Sequence, residues 1–264
     1  MKKVIKCSSI LFLLFYLMIP ILTTFIFSLA TKWTFSIMPE GITLNWYQEL
    51  FSDSSFTLAL IRTIFLSFIA TSLSLLLIVP VSFAIFIYFP KMEKWMNIVI
   101  VGVFSVPGII AVMSLISAYD GIDIPRLFLV LGYYILGSVP LMHIGITNSL
   151  KSINAIDMIE SAEILGASKL QTFIKIIVPN IRKTIIAVGL FRFSTLFGEY
   201  GVINLLVGGK FETVQIYLRK QITASGHFTS SIIMTYFIIV TLLTTLGLIL
   251  VKDRKEATNE LFIN

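Results

Sequence analysis

Ionisable side chains inside long apolar runs are the first candidates for chemistry in this sequence. Arg192 and Glu199 lie seven residues apart in one such run, which places them on the same face of a helix. A charge at the centre of a bilayer costs about 2.5–3.5 kcal/mol on insertion scales, so such a group usually faces a cavity or a partner. Arg192, Glu199 and the adjacent Tyr200 are therefore candidate contacts of a translocation pathway. The sequence leaves two alternatives open: a structural pair or bridge to neighbouring helices and, for Glu199, simple proximity to the outer interface.

The sequence contains no phosphate-binding loop of the form Gly-x-x-x-x-Gly-Lys-[Ser/Thr]. The nearest match ends in Gly209 and Lys210, but Asn204 stands where the first glycine belongs and Phe211 follows the lysine. No His-Glu-x-x-His or Gly-x-Ser-x-Gly motif occurs either. The chain is therefore expected not to be an enzyme and not to hydrolyse ATP by itself.

Metal and redox sites are also unexpected from the residues present. Cys7 is the single cysteine, which excludes an internal disulfide framework and a cysteine metal cluster. The two histidines, His143 and His227, lack the carboxylates that a zinc site would need beside them. His143 is predicted to be a hydrogen-bonded packing residue rather than a proton relay. We expect this chain to bind no cofactor of its own.

The composition shows what must position these side chains. Of the 264 residues, 57% are apolar and 13% are charged, compared with roughly 25% charged in a soluble domain. Apolar runs of 18 or more residues are long enough to cross a bilayer as helices. An all-α membrane protein with six transmembrane helices is predicted. The six runs are 8–30, 63–89, 97–119, 127–150, 184–207 and 231–251.

The distribution of lysine and arginine predicts the orientation of these helices. With the N-terminus inside, 13 of these residues fall on the cytoplasmic side and six on the outer side, while Arg192 lies within a span. This is the bias expected of cytoplasmic loops, and it places both termini in the cytoplasm. It also explains the net charge of +6 without a nucleic-acid partner. The first apolar run is longer than the core of a signal peptide, so a retained helix is predicted.

A half-polar cytoplasmic loop at 151–183 interrupts the apolar pattern. Asn154 is a candidate cap for a helix that ends near Leu165, and Gly166 suits the left-handed position after a helix. Ser168 and Gln171 have the spacing of a capping box. Pro179 is predicted to end the second helix and mark entry to the fifth span. The second helix would carry one apolar stripe, composed of Leu170, Phe173, Ile174 and Ile177.

Two interpretations of this loop follow from its pattern. It could lie on the bilayer as an amphipathic helix, held by Lys169 and Lys175. It could instead pack on a partner protein, which the glycine bend and the acidic Glu160 and Glu163 favour. An outer stretch at 31–62 carries a second amphipathic piece, predicted to be an interfacial helix.

The loop also resembles a known signature. Glu160-Ser161-Ala162, Gly166-Ala167-Ser168 and Pro179 are similar to the EAA motif of inner-membrane permease subunits of ABC importers, including the sulfate, molybdate, ferric-iron, polyamine and thiamine importers. That motif has a glycine four residues after its second alanine and a proline about thirteen residues later, and both spacings occur here. The run 197–201, Phe-Gly-Glu-Tyr-Gly, is similar to the fifth-span region of the same permeases. Ser161 replaces an alanine, and Val178 replaces a leucine.

The resemblance implies the type I importer fold and a permease subunit that forms half of a translocation pathway. It implies that Glu160, Ser161, Ala162, Gly166, Ala167, Ser168 and Pro179 belong to an ATPase-coupling element. The implied partners are a cytoplasmic ABC ATPase dimer that uses ATP, a second permease of the same or a related sequence, an extracytoplasmic solute-binding protein and the lipid bilayer of a bacterial inner membrane. The predicted regions are 1–56 (first helix and outer loop), 57–252 (five-helix core) and 253–264 (tail).

Other function classes remain as alternatives. An ion-coupled secondary transporter often shows inverted repeats with broken helices, and no convincing repeat is visible. A membrane-embedded enzyme would need a cluster of acids, histidines or a nucleophile at one depth, and Arg192, Glu199 and His143 make a poor cluster. The solute is not readable from the sequence.

Overall fold

The computed structural model describes residues 2–34, 38–223 and 225–252, and the predicted tail 253–264 lies outside them. Within these residues the chain is built from helices with no β-strand, which confirms the all-α prediction. The α-helices are α1 (Lys2–Leu29), α2 (Asn45–Ser52), α3 (Ser54–Tyr88), α4 (Glu93–Ser105), α5 (Gly108–Ala118), α6 (Arg126–Ser152), α7 (Ala155–Ile164), α8 (Lys169–Thr172), α9 (Val178–Phe197), α10 (Gly201–Leu206), α11 (Val214–Gln221) and α12 (Gly226–Lys252).

Four helices in the described part of the chain are long and apolar enough to cross a membrane. They are Ser8–Leu29 within α1, all of α3, all of α6, and Gly226–Ile249 within α12. The bent pair of α4 and α5 gives up to five if it is counted as one span. Judged by helix length and composition, the described residues therefore contain fewer than the six predicted transmembrane helices. The helix at the predicted fifth span, α9, falls short because it carries Arg182, Lys183 and Arg192.

Two predicted spans are broken rather than continuous. The run predicted at 97–119 bends by 97° between α4 and α5. Pro107 has no N–H to continue the helix and biases the preceding residue towards extended backbone, and Val106 is extended with ψ 117°. The run predicted at 184–207 ends early as α9 at Phe197, and the short α10 begins at Gly201. Pro140, in contrast, lies inside a continuous helix.

The chain divides into two compact units. Of the described residues, those within Met1–Ile61 and Glu212–Thr241 form one unit, and those within Arg62–Phe211 and Leu242–Asn264 form the other. In the first unit, α2, the start of α3, α11 and the start of α12 enclose a small core. The buried members of that core are Leu50, Phe56, Ala59, Val214, Tyr217, Phe228 and Ile232. The amphipathic helix predicted in the outer stretch is thus present as α2, which buries Leu50 and exposes Phe51.

The second unit places the half-polar loop on a well-packed base. Side chains from α3, α6, α7 and the start of α9 form one buried cluster: Val79, Phe83, Ile146, Leu150, Ala155, Ile159, Ile177 and Ile181. Glycines let the neighbouring helices approach closely. A Cβ added at Gly145 in α6 would lie 2.7 Å from a methyl group of Val188 in α9. Small residues at such contacts are typical of helix packing in membranes.

Candidate functional site

Helix α7 ends in a rigid left-handed turn. Gly166 has φ +82°, a conformation that residues with a side chain rarely adopt. The Gly166 N–H donates to the carbonyl of Glu163 at 2.9 Å, and the Ala167 N–H donates to the carbonyl of Ala162 at 3.0 Å. These two bonds are the Schellman pattern, which satisfies the last carbonyls of a helix. The predicted glycine stop is confirmed.

The next helix begins with the predicted capping box. The Ser168 hydroxyl accepts the Gln171 N–H at 3.3 Å, and the Gln171 side chain accepts the Ser168 N–H at 3.0 Å. Asn154, by contrast, makes no side-chain cap bond, so its predicted role is wrong. It adopts φ 51° and ψ 53°, whereas a capping side chain needs extended backbone. Asparagine tolerates this left-handed conformation, and here it turns the chain from α6 into α7.

Pro179 marks the entry to α9, as predicted, but it does not interrupt the second helix of the loop, contrary to the prediction. It lies in the first turn of α9, and a π-helical turn, Phe173–Ile177, joins α8 to α9 without a break. The Val178 N–H bonds to the carbonyl of Phe173, five residues earlier. A wider turn absorbs the missing N–H and the bulk of the proline ring. The Asn180 side chain donates to the carbonyl of Ile176 at 2.7 Å.

The predicted apolar stripe divides between two environments. Ile177 is fully buried, and Phe173 packs on Phe83 with ring centroids 4.7 Å apart. Leu170 and Ile174 instead leave 67% and 54% of their surface exposed. The buried pair fixes the loop to the helices beneath it. Lys169 adds a cation–π contact, with its ammonium 4.6 Å from the ring centre of Tyr88.

The most exposed apolar residues of the loop lie at its bend. Ile164 and Leu165 are 86% and 87% exposed, directly before Gly166. A groove of about 370 Å³ lies beside Leu165 and is lined by residues that include Ala162 and Ile176. Apolar side chains this exposed on an ordered turn indicate a contact surface. The sequence pattern did not mark Ile164 and Leu165, because the helical periodicity of the apolar stripe begins only at Leu170, five residues after Leu165.

The motif residues of the loop have different surroundings. Glu160 is exposed, and the Ser161 hydroxyl donates to the carbonyl of Asp157 at 2.8 Å. Ala162 lies on the buried face of α7, where a larger side chain would not fit without displacement. Ala167 is half-buried, and Ser168 and Pro179 are exposed. The seven residues thus lie along the chain from α7 to the first turn of α9, most of them exposed and Ala162 buried.

A second polar cluster surrounds Arg192 and Glu199. The two charges do not pair directly, since Tyr134 lies between them in the hydrogen-bond chain. Arg192 Nη2 donates to the carbonyl of Tyr134 at 2.8 Å, and the Tyr134 hydroxyl donates to Glu199 Oε2 at 2.5 Å. Arg192 Nε donates to the Ser138 hydroxyl at 2.7 Å, and Ser138 also contacts Ser74 at 3.1 Å. Four segments, α3, α6, α9 and α10, are linked in this way.

The carboxylate of Glu199 caps α10. Its Oε1 accepts the Val202 N–H at 2.7 Å, and its Oε2 accepts the Ile203 N–H at 3.3 Å. A carboxylate at this position satisfies donors that a helix start would otherwise leave unpaired inside the membrane. The bend after α9 therefore depends on Glu199. The sequence did not predict this role, because the predicted span was continuous there.

Arg192 and Glu199 line a cavity of about 540 Å³. The α4–α5 break, α6, α9 and α10 form its walls, which are mostly apolar. Tyr133 and Tyr134 also line it, whereas Tyr200 does not. The structure thus brings together two of the three predicted pathway residues. His143 lies elsewhere: it is buried and bonded to the Ser82 hydroxyl at 2.9 Å, as a packing residue would be.

An acidic group outside the spans is also hydrogen-bonded. Asp53, at the end of α2, accepts the Tyr217 hydroxyl at 2.6 Å and the Ser55 N–H at 2.7 Å. The tyrosine bond lowers the pKa of Asp53 below its ordinary value. Burial and the same bond raise the pKa of Tyr217. Among the described residues, no group of three histidine, cysteine, aspartate or glutamate side chains is placed to hold a metal ion.

Comparison with known proteins now decides the class. Residues 86–255 match the family described as the inner-membrane component of binding-protein-dependent transport systems. The chain belongs to this family. The matched region contains both the 151–183 loop and the residues that line the cavity.

Relatives and a solved structure agree with this assignment. The permease is 26% identical over 216 residues to a spermidine/putrescine permease PotC homolog of Mycoplasma pneumoniae, covering 77% of this chain and 73% of that one. It is 34% identical over 112 residues to the spermidine/putrescine permease PotB of Escherichia coli, covering 39% and 40%. It is 28% identical over 102 residues to the probable transport permease NifC of Clostridium pasteurianum, covering 36% and 35%.

The fold matches that of a bacterial ABC transporter involved in the import of the acidic polysaccharide alginate. The TM-score is 0.71 at 19% identity, covering 91% of this chain and 93% of that chain. The permease is therefore a multi-pass inner-membrane subunit of an ABC importer, as the EAA resemblance implied. An ion-coupled secondary transporter is not favoured. The family implies ATPase, binding-protein and second-permease partners.

Proposed function

We propose that α7 and the turn at 164–168, which we call the coupling tip, are where this permease engages a cytoplasmic ABC ATPase dimer. The exposure of Ile164 and Leu165 carries this proposal. Two large apolar side chains on an ordered turn lose contact with water when a partner groove covers them, which favours binding. The groove beside Leu165 gives the partner a matching place to insert a side chain.

The construction of the coupling tip suits a part that transmits force. Its helix ends are closed by the Schellman bonds and the capping box, so little backbone freedom remains. Ile159 and Ile177 anchor its two sides in the buried cluster. A tip of this kind moves with the helices that carry it, because a packed core resists continuous deformation.

A continuous helical path leads from the coupling tip to the cavity. Helix α8, the π-helical turn and α9 run without a break from Lys169 to Phe197. At 1.5 Å per residue, Lys169 and Arg192 are about 35 Å apart along this path. Movement of the tip on ATP binding would therefore displace Arg192 and the wall of the cavity. This supports coupling between the ATPase and the pathway.

The cavity forms this subunit's share of the translocation pathway in our proposal. Phe104 and Ile109, which line it near the α4–α5 break, are 73% and 66% exposed. A second permease, either another copy or a relative, would cover these side chains and complete the pathway. A solute-binding protein would deliver the solute from the outer side. In this proposal Arg192 and Glu199 are contacts of the pathway and Tyr200 supports the bend behind them.

The orientation of the chain follows from the same arrangement. The lysines and arginines concentrate on the side that carries the 151–183 loop, so we place this side and both termini in the cytoplasm. The ATPase partner binds and hydrolyses ATP there, and this chain contributes no catalytic group or cofactor. The names of the relatives and of the structural neighbour point to different cargoes, so they do not define the solute.

The test is a double substitution, Ile164→Asp with Leu165→Asp, in the full importer. We expect the variant to insert and fold, because both side chains are exposed, but to lose co-purification with the ATPase and ATP-dependent uptake. The matched control is Ile222→Asp, an apolar residue that is 49% exposed outside the loop. Retention of ATPase binding and uptake by the double variant would remove the proposed coupling role.

A further inference from the structure

The residues that line the cavity at Arg192 also indicate a chemical class for the solute. We propose that the cavity takes an anionic group of the transported solute, of the carboxylate, phosphate or sulfate class. This inference rests on the proposed role of the cavity as part of the pathway. The observation that supports it is that Arg192 has hydrogen-bond donors that the protein leaves unused, whereas Glu199 has little acceptor capacity left.

Arg192 supplies the unused donors. A guanidinium carries five N–H groups, and two of its nitrogens are held by Ser138 and by the carbonyl of Tyr134, both neutral partners. The ion pairs within the described residues are Lys151–Glu93 and Lys220–Glu212, so Arg192 has no carboxylate within 4.0 Å. The third nitrogen, Nη1, makes none of these bonds. An arginine fixed by two of its nitrogens presents the rest of its edge in a defined direction.

Glu199 has much less to offer a solute. Its two oxygens already accept three donors: the N–H groups of Val202 and Ile203 and the hydroxyl of Tyr134. A carboxylate has about four acceptor positions, so little capacity remains for an ammonium group. The two charges in the cavity are therefore unequal in availability. The positive group is open to a solute, and the negative group is occupied by the protein.

Glycines hold this space open. A Cβ added at Gly137 would lie 3.2 Å from Arg192 Nη2, so the guanidinium would have to shift by a few tenths of an ångström to admit a side chain there. A Cβ added at Gly108 would lie 3.0 Å from the Tyr133 hydroxyl, which also lines the cavity. The Tyr133 hydroxyl is a second potential donor to an anion. Arg192 and Tyr133 are thus both seated over bare backbone at the wall of one cavity.

Oxyanions fit this arrangement better than amines do. A planar guanidinium edge can donate two parallel bonds to a carboxylate, phosphate or sulfate group, and such charge-assisted pairs are strong. An ammonium group would meet the same positive charge without a free carboxylate beside it. Spermidine and putrescine, named for two relatives, are cations. The inference therefore separates this permease from those relatives by cargo.

The experiment uses the full importer in nanodiscs of zwitterionic lipid. Its thermal unfolding midpoint is titrated with inorganic phosphate, sulfate, succinate or putrescine at constant ionic strength. We expect at least one anion to raise the midpoint and putrescine to have no effect; the phosphate, sulfate and succinate arms identify the anion class. Arg192→Gln should weaken the apparent anion affinity by about tenfold or more, since one charge-assisted pair is lost. Arg182→Gln, on the same helix but outside the cavity, should leave the affinity unchanged.

Two further experiments distinguish the position of the guanidinium from its charge, and a bound solute from a bound lipid headgroup. Gly137→Ala retains every charge and shifts the guanidinium by only a few tenths of an ångström, so it should weaken the anion affinity by less than Arg192→Gln does. A midpoint raised only by putrescine, or by none of the four probes, would overturn the inference. So would an Arg192-dependent rise on adding anionic lipid alone, because the occupant would then be a lipid headgroup. Co-purification of the permease with the ATPase is measured in parallel. If the unsubstituted permease did not co-purify with the ATPase, that result would contradict the proposed function and not the anion inference.

Discussion

Ile164 and Leu165 expose apolar surface at the end of α7, whereas Arg192, on the helix that leads away from the same loop, keeps a charge inside a cavity. The coupling tip is held by backbone bonds between residues close in sequence. The cavity is held by side chains from α3, α6, α9 and α10. Damage at the tip should therefore change assembly and leave folding intact. Damage at the cavity should change stability and the response to solute.

Gly166→Val is expected to have the largest effect, and it should act on ATPase binding at the coupling tip while leaving the cavity intact. A Cβ there would meet nothing within 4 Å, so the variant acts through its backbone, which must hold φ +82°. A side chain in that region costs about 1–2 kcal/mol, and relief of the strain would swing the coupling tip away. We expect loss of ATPase co-purification and of uptake, with normal membrane insertion. The control is Gly209→Val, which also has open space and lies outside the loop.

A smaller and different effect is expected from Glu199→Gln. An amide cannot accept all three of the bonds that the carboxylate accepts, so the start of α10 loses part of its cap. The expected cost is about 1–3 kcal/mol of unfolding free energy, read as a lower thermal midpoint. ATPase co-purification should persist. Glu49→Gln, at an exposed position on α2, is the control; equal midpoints for the two variants would contradict the capping role.

The smallest expected effect concerns Asp53, which lies outside both regions, and it is a change in how the thermal midpoint depends on pH. Its pKa lies below the ordinary 3.8 in the folded state, so it contributes stability above that pH. The contribution is lost as the pH falls through the folded-state pKa and both states become protonated. The thermal midpoint should therefore decrease on acidification below about pH 4, and Asp53→Asn should flatten that decrease. An unchanged acid profile in the variant would show that the Tyr217 bond is not energetically coupled to folding.

Local signals explain what could be predicted from the sequence. The Gly166 stop and the Ser168–Gln171 capping box depend on residues within one turn of each other, and both were predicted correctly. Asn154 failed because the same side chain suits a cap and a left-handed turn, and only the path from α6 to α7 decides between them. The π-helical turn before Pro179 could not be read from periodicity, because it changes the periodicity.

The cavity and the helix bend could not be predicted, because both depend on residues distant in sequence. Tyr134 and Ser138 organise Arg192 and Glu199, yet they are more than 50 residues distant in sequence from Arg192. Nothing in an apolar helix marks one tyrosine or serine as the partner of a distant charge. The 97° bend at Pro107 was similarly hidden, since Pro20, Pro80 and Pro140 lie in helices that continue. The outcome depends on the packing around each proline rather than on the proline itself.

Site-directed cross-linking tests the central claim, that the coupling tip is the contact with the ATPase, most directly. Cys7 is the single cysteine, so Cys7→Ser gives a background in which Leu165→Cys is the one thiol of this chain. A short bifunctional reagent should link Leu165→Cys to the ATPase subunit in the assembled importer, with a yield that changes on ATP binding. Ile222→Cys should give no such product. If Leu165→Cys stays unlinked while the importer is assembled and active, the coupling tip is not the ATPase contact.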